Sequence, residues 1–89
     1  MKAIYKFYWD CGSKGDISGI FVAEESVVEA AIGKEVYLGE VLGKHSEVYG
    51  TLDREALELK SDDPVFVEQF IKIIGDGCIS GYNPLDYIE

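Results

Sequence analysis

Ala3-Ile4-Tyr5-Lys6-Phe7-Tyr8-Trp9, then Asp10-Cys11-Gly12-Ser13-Lys14-Gly15-Asp16, then Ser18 to Ala23, is the stretch on which the fold turns. Alternation at period two puts Ala3, Tyr5, Phe7 and Trp9 on one side of an extended chain and Ile4, Lys6 and Tyr8 on the other, the pattern of a half-buried strand. Residues 10–16 are turn chemistry throughout, so the chain is expected to reverse there and return over 18–23. That gives a first hairpin.

Downstream the spacing becomes helical. Val27, Val28, Ala31 and Ile32 fall on one side of a helix over 24–32, and Glu24, Glu25 and Glu29 on the other. The early glutamates suit the positive end of the helix dipole, and Gly33 is placed to follow the last turn. Glu35 to Leu42, Glu47 to Leu52 and Ala56 to Lys60 then read as three strands of a meander, with turns at 43–46 and 53–55. Asp63-Pro64 opens a second helix, with Asp63 as N-cap and Pro64 in the first helical position. Val65 to Ile74 is apolar on most sides, which predicts the more deeply buried of the two helices, and Gly75-Asp76-Gly77 ends it.

The tail from Cys78 to Glu89 carries too many large apolar groups to be solvated. It is expected to dock on the body, with Asn83 capping a turn from Pro84 to Tyr87. The order ββαβββα predicts one α+β domain over residues 1–89: an antiparallel sheet of about five strands, both helices on one face, and a docked C-terminal tail.

Composition narrows the function classes. A chain of 89 residues with a 47% hydrophobic fraction is long and apolar enough for one modest core. Seventeen acidic residues against eight basic give a net charge of −9 and an isoelectric point near 4.4. Such a surface repels nucleic acid and anionic membranes, because phosphate contacts need clustered Lys and Arg. It attracts basic proteins. Two cysteines, Cys11 and Cys78, do not make the disulfide framework of a small secreted domain, and the N-terminus lacks a long apolar run, so a cytoplasmic location is expected.

Reactive chemistry is poorly represented. Gly39 and Gly43-Lys44-His45 approach a phosphate-binding loop but miss its spacing, and His45 stands where a magnesium-holding hydroxyl belongs. His45 is the only histidine, and its pairing with Cys11 as base and thiolate requires adjacency that the sequence does not supply. Asp10 and Asp16 flank a Gly-rich loop without the spacing of a calcium loop. Glu40 interrupts the apolar face of Val36, Leu38 and Leu42, and in one hairpin register it is a buried acid beside the gap at Gly50. No cofactor or metal is expected.

Two constellations remain. Glu24, Glu25 and Glu29 at the first helix, with Asp53, Glu55, Glu58, Asp62 and Asp63 around the last strand, form rows of carboxylates that can occupy a groove made for phosphates. Tyr82, Pro84, Leu85, Tyr87 and Ile88 have the composition of interface anchors. The expectation is a non-catalytic acidic binding protein that inhibits or escorts a basic, nucleic-acid-handling partner, in the size and charge class of anti-defence and nuclease-immunity proteins. The alternatives are a ligand-binding or weakly catalytic domain around Glu40, Cys11 or His45, and a homo-oligomer, such as a homodimer, built on the tail.

Overall fold

A computed structural model describes residues 1–44 and 46–89. The alternation in the first strand holds. β1 (Lys2–Asp10) and β2 (Asp16–Glu24) pair antiparallel in unbroken register from Lys2↔Glu24 to Asp10↔Asp16. One face of this hairpin therefore collects Ala3, Tyr5, Phe7, Ile17 and Phe21, all buried, and the other collects Ile4 and Val22. Tyr5 stacks on Phe21 with ring centroids 5.5 Å apart, and Phe7 meets Trp9 edge-on at 5.1 Å.

The class is α+β, but the strands divide differently from the expected single meander. There are six among the described residues, in two sheets. β3 (Glu35–Gly39) and β4 (Val48–Thr51) form a separate two-stranded sheet, whereas β5 (Leu57–Ser61) leaves them and joins the free edge of β1. The redirection comes from a single 3₁₀ turn, Arg54–Ala56. Asp53 caps this turn by accepting from the Ala56 N–H at 3.1 Å. A sixth strand, β6 (Cys78–Gly81), adds to the outer edge of β2, giving the order β5-β1-β2-β6. Its four residues, with Gly81 at the end, carry too little periodicity to be read as a strand in the sequence.

The helices do not share a face. α1 (Glu25–Ala31) buries Val28 and Ala31 with the Ala3, Tyr5 and Phe7 set, while α2 (Pro64–Ile73) seats Val67 on Ile4 and Val22, with Phe70, Ile71 and Ile79 packed around them. Parity along the strand explains the split, because odd and even residues of β1 point to opposite sides and each side carries apolar groups that need cover. The α1 side is the thicker one, completed by Val36, Leu38, Val48 and Leu52 from the small sheet and by Leu85 and Ile88 from the tail.

This arrangement overturns the deeper burial expected of α2. Only Val67 of that helix is buried, and Val65 and Ile73 are 71% and 75% exposed. The reason is the narrow seat: on the even side of β1, Lys2, Lys6 and Tyr8 flank a single buried residue, Ile4. The start of α2 follows expectation, with the Asp63 carboxylate accepting from the Val65 N–H at 3.1 Å ahead of Pro64.

The tail docks as expected. Asn83 is buried and accepts from the Leu85 N–H at 3.0 Å, opening the 3₁₀ turn Pro84–Tyr87. Ile88 then bridges to Val36, and the Glu89 N–H reaches the Glu35 carbonyl at 3.1 Å. Among the described residues no helix is long and apolar enough to cross a membrane.

Candidate functional site

Of the two carboxylate groups, Glu25 and Glu29 of the first line a cleft, and no acid of the second does. Because β5 pairs with β1 on the edge nearest the 3₁₀ turn, Arg54, Leu57 and Leu59 stand across from Glu25, Val28, Glu29 and Ile32, with Tyr5 between them, around a cavity of about 240 Å³. Arg54 grips Glu29 with both guanidinium nitrogens, Nη1 to Oε1 at 2.9 Å and Nη2 to Oε2 at 2.7 Å. That fork holds the Glu29 carboxyl below its ordinary value and the Arg54 guanidinium above its own. Burial raises the Tyr5 hydroxyl above its usual value, and the negative charges of Glu25, Glu29 and Asp62 push it in the same direction, so carboxylates of both groups act on this one phenol.

The other predicted acids are partly engaged. Glu24 pairs with the N-terminal amine at 2.8 Å, and Glu58 pairs with Lys60 at 2.8 Å. Asp53 and Asp63 serve as caps. The carboxylates of Glu25, Glu55 and Asp62 form no hydrogen bond or ion pair among the described residues. The tail residues are largely consumed at home, since Tyr82, Leu85 and Ile88 pack on the main core; Tyr87 stays 36% exposed with its ring 6.3 Å from Tyr82.

Among the described residues the reactive candidates do not converge. Glu40 is exposed in the loop after β3, and Gly50 faces Val36 across the small sheet, so Glu40 is not a buried acid beside that glycine. The cause is Gly39, whose φ of +79° ends the strand three residues early and turns Val41 and Leu42 inward. Cys11 is half-buried, Cys78 is exposed, and both are free thiols. His45, and with it the Cys11–His45 pairing, lies outside the described residues. Asp10 and Asp16 face each other directly across the first hairpin; Asp10 accepts from the Gly12 N–H at 2.9 Å, and Asp16 from the Tyr8 hydroxyl at 3.2 Å.

A second cavity went unread in the sequence. At the turn of the first hairpin, Trp9, Asp10, Cys11 and Lys14 meet Glu47 and the β4 residues Tyr49, Gly50 and Thr51 around about 430 Å³. Next to it Tyr49 lies against Tyr37, centroids 6.3 Å apart, and burial, then the negative charge of Glu47, raises the Tyr37 hydroxyl above its ordinary value. The signal available was the alternation Glu47-Val48-Tyr49-Gly50-Thr51, which turns Tyr49 outward whenever Val48 turns in. A third, mostly apolar hollow of about 230 Å³ runs beside α2 between Met1, Lys2, Pro64, Val67, Glu68 and Ile71. No family model, curated protein or solved structure matches this chain.

Proposed function

We propose that this protein is a non-catalytic binding module whose acidic shoulder, formed by α1, the Arg54–Ala56 turn and the segment around β5, docks on a basic protein partner. The observation that carries the reading is that Glu25 and Glu29 line a cleft beside Tyr5 while the charge of Asp62, more than thirty residues on, acts on the same phenol. A lone acidic helix is an ordinary solvated face, whereas here Arg54 fixes Glu29 at the cleft and the acids near β5 add negative charge from a second element. A partner that handles nucleic acid fits best, because its groove is already built for regularly spaced negative charge. Occupying that groove blocks or chaperones it, as an inhibitor or an escort does. Two free cysteines fit a reducing compartment such as the cytoplasm.

The test is binding of a small basic DNA-binding protein, measured at stepwise ionic strength with the wild type and with the triple variant Glu25→Lys, Glu55→Lys, Asp62→Lys. Saturable binding at low salt that weakens as salt rises and is lost in the triple variant is the expected result. Absence of binding at low salt, or equal binding by the triple variant, rejects the reading.

A further inference from the structure

We infer that the solvent face of α2 is the contact surface of a symmetric homodimer, in which the α2 helices of two copies lie antiparallel against each other. The inference stands apart from the acidic shoulder, because α1 and α2 cover opposite faces of the central sheet.

Helical spacing fixes what that face carries. Val67 turns to the sheet, onto Ile4 and Val22, and Pro64, Glu68 and Ile71 turn toward Met1 and Lys2 at the start of β1. Phe66 and Ile73, seven residues apart, take the opposite flank, with Phe70 below them toward the core and its ring 6.3 Å from that of Phe66. Val65, Gln69 and Lys72 point to solvent between the two flanks, and all three are exposed. Val65, Phe66 and Ile73 thus put three large apolar side chains in water on one short helix, a cluster that marks a contact surface.

Symmetry and charge select a second copy as the occupant. A two-fold axis across this face, level with the Gln69–Phe70 bond, keeps each flank beside its own counterpart. On the apolar flank Phe66 of each copy comes level with Ile73 of the other, because the two lie equally far from the axis. On the other flank the Lys72 turn of one copy comes beside the Glu68 turn of its partner, opposite in charge. Neither Glu68 nor Lys72 has an ion pair within its own chain among the described residues. The surroundings of α2 are nearly neutral: Lys2 pairs with Asp76, Lys60 with Glu58 and the N-terminal amine with Glu24, leaving Lys6 and Lys72 against Asp63 and Glu68. Two such faces approach without the repulsion that a net charge of −9 imposes elsewhere, and a basic partner finds no excess of carboxylates here. A ten-residue helix is about 15 Å long, so the interface is small and reversible.

Sedimentation equilibrium of the full chain, from about 10 μM to about 1 mM, reads the association directly. The mass is expected to rise from monomer toward dimer and no further, as a closed two-fold requires. Association should tighten as sodium chloride is raised from about 10 mM to about 150 mM, because screening removes the mutual repulsion of two acidic chains. Phe66→Glu and Ile73→Glu each place a charge in the contact and should weaken it about tenfold or more. Val27→Glu, at a comparably exposed apolar site on α1, adds the same charge and should change association little. All these side chains are exposed, and wild-type amide spectra check that the fold is kept.

The charged flank gives the positional test. Glu68→Lys and Lys72→Glu should each weaken association about two- to fivefold, although the first makes the chain less acidic, and the double variant should restore it. A monomer at the highest concentration, mass beyond a dimer, indifference to Phe66→Glu and Ile73→Glu, or a double variant no tighter than the singles overturns the inference. Its failure is distinct from failure of the acidic-shoulder reading, because Glu25, Glu55 and Asp62 are untouched. Salt separates the two as well, since binding at the shoulder weakens where self-association strengthens.

Discussion

At the scale of single residues, the tightest constraint is the passage of the tail over β2. A Cβ added to Gly19 would fall 2.0 Å from the Tyr82 carbonyl oxygen and 2.5 Å from its nitrogen, both backbone atoms that cannot rotate away. Gly19→Ala is therefore expected to destabilise the protein by about 2–3 kcal/mol, at the upper end of ordinary overpacking, and to detach the tail. Urea denaturation and proteolysis of the last ten residues check this, with Ser18→Ala, an exposed neighbour, as the control expected to change little. Caps were the residue-scale features most legible in the sequence. Asp63, Asn83 and Gly33 occupy the positions their chemistry assigns, because a cap depends on a few consecutive residues. The Gly19 contact was illegible for the opposite reason: its partner lies more than sixty residues away.

At the scale of elements, the Glu29–Arg54 fork ties α1 to the turn that sends β5 toward β1. The Glu29 carboxyl is depressed in the folded state by Arg54, so the stabilisation it contributes is complete above the ordinary Glu value of 4.5 and is lost as pH falls through the lower folded value. Asp76, lowered by Lys2 and by the Gly77 N–H, and Glu58, lowered by Lys60, have the same sign. In Arg54→Ala the Glu29 carboxyl should titrate at a higher pH, followed by side-chain NMR, and the loss of stability below pH 4.5 should become shallower than in the wild type. Unchanged titration would show that the fork does not form in solution. The helices themselves were readable because apolar spacing repeats within each, but the seat of α2 was not. The width of that seat depends on which residues of β1 face it and on where the later strands dock, both tertiary facts. The same holds for β5, whose Leu57 and Leu59 would suit either sheet until the capped turn at Arg54 chooses between them.

At the scale of the whole molecule, elongation and charge act together. The radius of gyration is 13.4 Å and the principal extents are 43 × 24 × 19 Å, against about 12 Å expected for a compact domain of this length. A net charge of −9 spread over that form repels itself, and the repulsion is long-ranged at low salt. Thermal midpoints measured at about 10 mM and about 150 mM sodium chloride should therefore rise with salt, although the surface ion pairs at Glu24, Glu29 and Glu58 weaken in the same change. A fall in the midpoint would mean that pair contacts outweigh the collective repulsion. The acidic shoulder was legible as composition and only the structure supplied its geometry, since the reach of Glu25, Glu29 and Asp62 to the one Tyr5 phenol is a product of strand order.

The placement of α1 and α2 on opposite sides of β5-β1-β2-β6 has a consequence for how the protein can change. The central sheet is a partition: the cleft, the small sheet and the tail lie on one side, and the loosely seated α2 with its exposed Val65, Phe66 and Ile73 lies on the other. Substitutions accumulating on the α2 side leave the carboxylates of the far side where they are. One half of the molecule is thus free to drift, or to acquire a second use, while the other keeps its shape.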